Sequence, residues 1–234
     1  MEKINRDTTL GVVEVWLARV DRPASDVREL AMLLDQDECS RAERFVRPED
    51  RTRFIVSHGV LRKLLAERLG SAAAEIRFEA LRYGKPFVPD SDWQFSLSHS
   101  GDFMLCAFAR NLHVGADIEQ MRSMPDYEAI AERYFANEER RQLRELPDVD
   151  RQEGFFRIWS LKEAYLKATG EGLNFPLSDF DVSLSPVGLL RAAGRPDEEK
   201  KWGMAAFSPH PGYQAAIAVE GGQCQMSHHS WEYC

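Results

Sequence analysis

Cysteine is sparse and scattered in this chain of 234 residues. Cys39, Cys106, Cys224 and Cys234 form no C-x-x-C pair, which argues against a zinc ribbon or a dithiol redox site. Free thiols are expected. No apolar run approaches the roughly 20 residues that a membrane-crossing helix needs. The segment Met1–Leu10 is polar, without the apolar core of a signal peptide, so a cytoplasmic protein with no membrane partner is expected. Positive charge is in deficit: 30 Lys and Arg face 38 Asp and Glu, a formal net charge of −8. Sequence-independent nucleic-acid binding needs a basic footprint and is not expected. No G-x-S-x-G elbow is present, so a serine hydrolase built on Ser98 and His99 lacks its usual support.

The composition, 44% hydrophobic and 29% charged, is that of a globular chain able to bury a core. Alternation of Val13, Val15 and Leu17 predicts a strand over residues 11–20. A helix is expected over 26–34 with Ser25 as its N-cap. Residues 50–69 carry Phe54, Val60, Leu61, Leu64, Leu65 and Leu69 on one stripe and end at Gly70, which predicts a long helix with a glycine stop. Short strands are expected at 75–78, 93–98, 103–110 and 114–119, with turns at Tyr83–Pro86 and Ser100–Asp102. The second half repeats the plan: one helix over 129–145, a long one over 151–169 closed by Gly170, and strands at 180–185, 202–208 and 213–219. The tail after Glu220 reads as loose.

Shifted by 100 residues, the chain overlays on itself. Asp50-Arg51 falls on Asp150-Arg151, Leu61 on Leu161, Gly70 on Gly170, and Glu38, Arg41 and Arg44 on Glu138, Arg141 and Arg144. A duplication predicts two similar α/β halves joined near residues 111–113, with a cleft at the seam.

Four constellations carry chemistry. In Val114–Glu119, Asp117 and Glu119 stand two apart on a strand and share a face. They are either a solvated edge or a pair held together by a hard cation. Gly115 between them and the strand start allows close approach of a ligand or another backbone. In Trp159-Ser160-Leu161-Lys162-Glu163-Ala164-Tyr165-Leu166-Lys167, Glu163 and Lys167 lie four apart on one helix face, either as a surface ion pair or as a third metal carboxylate beside a phosphate-facing cation. Ser98 and His99 end a strand before a glycine turn, where they are a hairpin corner or a set of phosphate donors. Lys85 sits in the turn Tyr83-Gly84-Lys85-Pro86, a fixed cation if it is more than a turn residue. His58, His113, His210, His228 and His229 show no ligand spacing with the acids and receive no role.

Taken together and in order, Gly-Lys-Pro, Ser-His-Ser-Gly, Gly-x-Asp-x-Glu, Trp-Ser-x-Lys-Glu-Ala-x-x-Lys and Phe175–Phe180 resemble the 4′-phosphopantetheinyl transferase superfamily, in its single-chain, surfactin-synthetase-activating type. The resemblance runs from about Arg41 to Phe180. It implies an α+β fold: a pseudodimer of two similar α/β subdomains, each with a small, mostly antiparallel sheet packed against a long helix. Residues 1–112 would form the N-terminal subdomain and 113–234 the C-terminal one, with the active site in the cleft between. The chain would act as a monomer.

The resemblance also implies an activity: Mg²⁺-dependent transfer of the 4′-phosphopantetheine of coenzyme A to a serine of an apo acyl or peptidyl carrier protein, releasing adenosine 3′,5′-bisphosphate. Asp117, Glu119 and Glu163 would hold the metal, with Glu163 also a candidate base. Lys167 would face the pyrophosphate. Lys85, Ser98 and His99 would contact the nucleotide and its 3′-phosphate, and Arg41 would be a further 3′-phosphate contact. Glu38 stands where some members carry lysine, so the phosphate end is expected to be held differently here. A carrier protein is acidic, so a basic dock is needed near the cleft. Arg133, Arg140, Arg141 and Arg144 would supply it unless Glu132, Glu138, Glu139 and Glu145 neutralise them. Met121, Met124 and Tyr127 are either an apolar dock or core. The alternatives to the transferase are a silent module that binds coenzyme A or a carrier, and a phosphodiesterase that removes the arm.

Overall fold

A computed structural model describes residues 11–222 and 224–233. The first half runs β1 (Gly11–Arg19), α1 (Ala24–Ala31), α2 (Gln36–Glu43), α3 (Pro48–Leu69), a short pair β2 (Glu79–Ala80) and β3 (Pro86–Phe87), then β4 (Trp93–Ser100) and β5 (Phe103–Arg110). The second half runs β6 (Val114–Gln120), α4 (Tyr127–Tyr134), α5 (Asn137–Glu145), α6 (Asp148–Thr169), the hairpin β7 (Phe180–Leu184) and β8 (Val187–Ala192), then β9 (Trp202–Phe207), β10 (Tyr213–Glu220) and β11 (Cys224–Trp231). No helix among the described residues is long and apolar enough to cross a membrane.

The two halves share one topology. In the first sheet β1, β5 and β4 are neighbours, all antiparallel; in the second β6, β10 and β9 are arranged the same way. The long helices α3 and α6 both have 22 residues, start 100 residues apart, and stop at Gly70 and Gly170 with φ of 64° and 73°. That left-handed backbone is cheap only for glycine.

Side-chain alternation stacks the halves in four layers. On β1 and β5, Val13, Val15, Leu105, Ala107 and Ala109 face β6 and β10, where Val114, Ala116, Ile118, Ala215 and Ile217 meet them. On the opposite face of the first sheet Met104, Cys106 and Phe108 pack beneath Phe54, Val60, Leu61 and Leu64 of α3. Ala216 and Ala218 of the second sheet pack beneath Ile158, Leu161 and Tyr165 of α6. The order is therefore α3, first sheet, second sheet, α6.

Each half buries one ion pair in the matching place. Arg62 of α3 is fully buried, donates to Glu38 at 2.7 Å and Asp35 at 2.6 Å, and also caps the Ala73 and Ile76 carbonyls. Lys162 of α6, also fully buried, donates to Glu139 and, at 2.7 Å, to the Phe180 carbonyl. Glu38 and Glu139 are each the third residue of a helix and accept from the N–H of the residue preceding it. Charges this deep persist only because their hydrogen bonds are completed.

Several expectations need correction. The single helix expected at 129–145 is two, because the Glu139 carboxylate, drawn inward to Lys162, takes the Ala136 N–H and starts a new helix there. The strand expected at 75–78 is a 3₁₀ turn over Ala73–Glu75 followed by extended chain, since Arg62 rather than a neighbouring strand occupies those carbonyls. Helix α1 starts after Pro23, and the Ser25 hydroxyl bonds Asp26 instead of capping. The tail expected to be loose is β11, paired parallel to β1 from Gly11↔Cys224 to Ala18↔Trp231. The end of the second half thus completes the first sheet.

Candidate active site

Strand β6 lies at the seam, and its two faces do different work. Val114, Ala116 and Ile118 are core, so Gly115, Asp117 and Glu119 face α6. At Gly115 the helix rests directly on the strand: a Cβ there would lie 1.9 Å from the Ala164 carbonyl oxygen and 2.4 Å from the Ala168 amide nitrogen. The close backbone approach expected of this glycine is therefore made by α6. It brings Glu163 and Lys167 beside Asp117.

Strand β4 approaches β6 from the first half with alternate serines. Ser96 Oγ accepts from the Ala116 N–H at 3.0 Å, Ser98 Oγ donates to Asp117 Oδ1 at 3.0 Å, and Ser100 Oγ donates to Glu119 Oε2 at 3.0 Å. Lys167 Nζ donates to Asp117 Oδ1 at 2.7 Å and to Ser98 Oγ at 2.8 Å. Ser98, Asp117 and Lys167 are thus one hydrogen-bonded cluster drawn from both halves.

Lys85 crosses the seam too. Its Nζ donates to the Val114 carbonyl at 2.9 Å and to the Ala168 carbonyl at 3.1 Å, tying β6 to the end of α6. Burial lowers its pKa to about 8. His99 lies on the opposite face of β4 from Ser98, with an edge open to the cleft. Lost hydration and the Arg53 and Lys167 cations lower its pKa and favour the neutral ring.

These side chains line one cleft of about 770 Å³. Arg41, Lys85, Ser98, His99, Asp117, Glu119, Glu163 and Lys167 all reach it, so every candidate residue of the sequence analysis is gathered there. A second groove of about 740 Å³ shares His99, Glu119 and Trp159 with it. That groove is walled by Arg47, Arg53 and Arg122, by Glu49 and Asp50, and by Met124, Ile130, Phe155 and Phe156; Arg53 pairs with Asp50 at 2.6 Å.

The acids are electrostatically frustrated. Desolvation first, then the neighbouring Asp117 and Glu163 carboxylates, push the Glu119 carboxyl up to about 7 against the opposing pull of Ser100 and Lys167. Desolvation and Asp117 likewise raise Glu163. Asp117 is 2% exposed, and its Oδ2 is buried with no protein partner. Buried, mutually repelling carboxylate oxygens with a free acceptor suit a hard cation such as Mg²⁺. As the side chains stand, no three acidic, histidine or cysteine groups among the described residues converge into a closed cage. The acids instead border the open cleft, where phosphate oxygens and water can complete a shell.

The four arginines expected to form a carrier dock are largely neutralised. Arg140 pairs with Glu132 at 2.7 Å, Arg141 with Glu138 and Glu145 at 2.5 Å each, and Arg144 with Glu132 at 3.2 Å. Arg133 lies over the Tyr134 ring. Met121, Met124 and Tyr127 pack half-buried against the second core, and Met124 also reaches the second groove. Sequence reasoning missed Arg47, Arg53 and Arg122, whose isolated positions carry no motif. His58, given no role above, bonds Glu38 rather than the acids of the cleft.

Two family models match most of the chain: the 4′-phosphopantetheinyl transferase superfamily matches residues 113–218, and the 4′-phosphopantetheinyl transferase N-terminal region matches 22–111. The chain is 38% identical over 213 residues to 4′-phosphopantetheinyl transferase HetI of Nostoc sp., covering 89% of this chain and 88% of that protein. It is 30% identical over 210 residues to 4′-phosphopantetheinyl transferase Sfp of Bacillus subtilis, covering 88% and 92%. It is 32% identical over 206 residues to the L-aminoadipate-semialdehyde dehydrogenase-phosphopantetheinyl transferase of Homo sapiens, covering 80% and 67%. With this agreement along both halves, and with the acids, Lys167 and Ser98 meeting at their seam, the chain belongs to the 4′-phosphopantetheinyl transferase superfamily.

Proposed function

We propose that this enzyme transfers the 4′-phosphopantetheine of coenzyme A to a serine of an apo acyl or peptidyl carrier protein and releases adenosine 3′,5′-bisphosphate. The observation that carries this reading is the seam itself: Asp117, Glu119, Glu163 and Lys167 from one half and Ser98 and His99 from the other line a single cleft. The names of the relatives support the transfer. Residues up to about 112, completed by β11, and residues from about 113 to 220 act as two subdomains, and one copy supplies both walls, so a monomer suffices. Free Cys39 and Cys106 accord with the cytoplasm.

Asp117, Glu119 and Glu163 are the residues that would hold Mg²⁺. When bound, the ion would offset the charge of the pyrophosphate oxygens. The chain's own groups do the rest. The carrier serine oxygen forms a bond to the β-phosphorus, and the bond from that phosphorus to the bridging oxygen breaks. Glu163, which lines the cleft beside Asp117, takes the serine proton. Lys167 has used two of its three ammonium protons, on Asp117 and Ser98, and directs the third at the departing phosphate. Lys85 is similarly left with one proton for a nucleotide phosphate beyond its two carbonyls. His99 and Arg41 line the nucleotide end, and in the second groove Arg47 and Arg122, which make no ion pair among the described residues, lie beside apolar side chains and would meet an acidic carrier.

The test is incubation with apo acyl carrier or apo peptidyl carrier, coenzyme A and Mg²⁺, with release of adenosine 3′,5′-bisphosphate followed by chromatography. Release that needs both the carrier and Mg²⁺ is expected. Coenzyme A binding without release on either carrier would favour the silent binding module.

A further inference from the structure

We propose that His58, held by Glu38, is a specificity-determining residue that reads the terminal phosphate monoester of coenzyme A. The inference rests on the cleft being a coenzyme A site, and it adds a residue outside every motif above.

The local chemistry starts with Glu38. Burial alone would raise its carboxyl, but hydrogen bonds from His58 and the Asp35 N–H, with Arg62 beside them, outweigh burial and hold it below the ordinary range. Glu38 is therefore an ionised acceptor. His58 Nδ1 lies 2.7 Å from Glu38 Oε1, so Nδ1 must carry the hydrogen. The imidazole is also stacked on Phe54, with ring centroids 4.0 Å apart. Both its rotation and its tautomer are thus set by neighbours. Glu38 is set in turn by the buried Arg62, which donates to it at 2.7 Å. The ring atom left for the cleft is Nε2.

The cleft has a polarity. The acids that border it, Asp117, Glu119 and Glu163, all belong to β6 and α6. The opposite wall, from α2, α3 and the turn between them, presents Arg41 and His58 with the aromatic rings of Phe45 and Phe54 and no carboxylate. Arg41 is exposed, lies over the same Phe54 ring at 5.3 Å, and makes no ion pair among the described residues. Coenzyme A carries two kinds of phosphate: a pyrophosphate, which needs the acids' cation, and a phosphate monoester on the ribose. A wall of a guanidinium and an oriented imidazole without a competing acid suits the monoester. With Nδ1–H bonded to Glu38, Nε2 is the ring atom that meets a phosphate oxygen; the imidazolium form donates from both nitrogens, and Glu38 offsets its charge. Glu38 is a positioning residue. It serves by holding a histidine.

The experiment compares coenzyme A with dephospho-coenzyme A, which differs only by the monoester. Binding to the full chain is measured by calorimetry for wild type, His58→Gln, His58→Lys and Glu38→Gln. In His58→Gln, affinity for coenzyme A should fall about 10–100-fold, the cost of one charge-assisted bond, while affinity for dephospho-coenzyme A stays within about 3-fold. His58→Lys should restore the preference. Glu38→Gln should lose part of it, and a folded His58→Gln keeps the test decisive if Glu38→Gln does not fold. Equal losses on both ligands, or no loss on either, would overturn the assignment. A wild type that prefers coenzyme A through His58 but modifies no carrier would uphold this inference and defeat the transferase reading.

Discussion

Replacing Gly115 by alanine tests how the site is assembled. The added Cβ would lie 1.9 Å from the Ala164 carbonyl oxygen and 2.4 Å from the Ala168 nitrogen, whereas real Cβ contacts essentially never fall under 3.0 Å. Both opposing atoms are helix backbone, so no flexible side chain can swing aside. Helix α6 must retreat by roughly 1 Å, carrying Glu163 and Lys167 away from Asp117, and a misplacement of that size costs on the order of 10²-fold in rate. Overpacking of this kind costs about 1–3 kcal/mol in stability. In a chain of this length that lowers the unfolding midpoint by roughly 2–12 °C. The assay pairs thermal unfolding by circular dichroism with the transfer rate. Gly188→Ala is the control, since nothing lies within 4 Å of its added Cβ. A Gly115→Ala protein with wild-type midpoint and rate would refute the claim that strand–helix contact positions Glu163 and Lys167.

Other outcomes follow from the same geometry. Lys162→Met strands the fully buried Glu139 carboxylate and should cost about 3–5 kcal/mol in urea unfolding; a loss below about 1 kcal/mol would contradict the pairing. Glu119 has its pKa raised from 4.5 to about 7, so the folded state holds that proton more tightly than the unfolded chain. The resulting stabilisation is full below about pH 4.5 and is lost as pH rises through about 7, a change on the order of 3 kcal/mol. Added Mg²⁺ should therefore raise the melting midpoint more at about pH 8 than at about pH 5.5; equal shifts would argue against a cation among these acids. Truncation after Gly222 removes β11 and bares the β1 edge, which should lower the midpoint and increase light scattering; an unchanged, monodisperse protein would show that the strand is dispensable.

Much of the fold was legible because its signals are local. The stripe of α3, the glycine stops at 70 and 170, and the alternation that puts Asp117 and Glu119 on one face each depend on neighbours a few residues apart. The 100-residue offset was visible for the same reason, since both long helices keep their length and their ends. The failures involve distant partners. The break before Asn137 depends on Lys162, more than 20 residues away, drawing Glu139 inward. The turn over Ala73–Glu75 depends on the Arg62 guanidinium. The pairing of β11 with β1 joins opposite ends of the chain, and no periodicity in a polar tail announces it. The site motifs were readable as residues, but their contacts within the protein were not. Lys85 proved to tie β6 to α6, and the arginines of α5 proved to be paired with glutamates. His58 was passed over because its meaning lies in a contact with Glu38.

The central claim is that chemistry occurs where Asp117, Glu163 and Lys167 meet. Its most direct test is the intact mass of an apo carrier after incubation with coenzyme A, Mg²⁺ and, separately, the wild type and the folded Asp117→Ala, Glu163→Ala and Lys167→Ala proteins. The wild type should add one phosphopantetheine to the carrier, and each variant should do so severely more slowly or not at all. Near-normal addition by the Asp117 and Glu163 variants would contradict the account and place the reaction elsewhere.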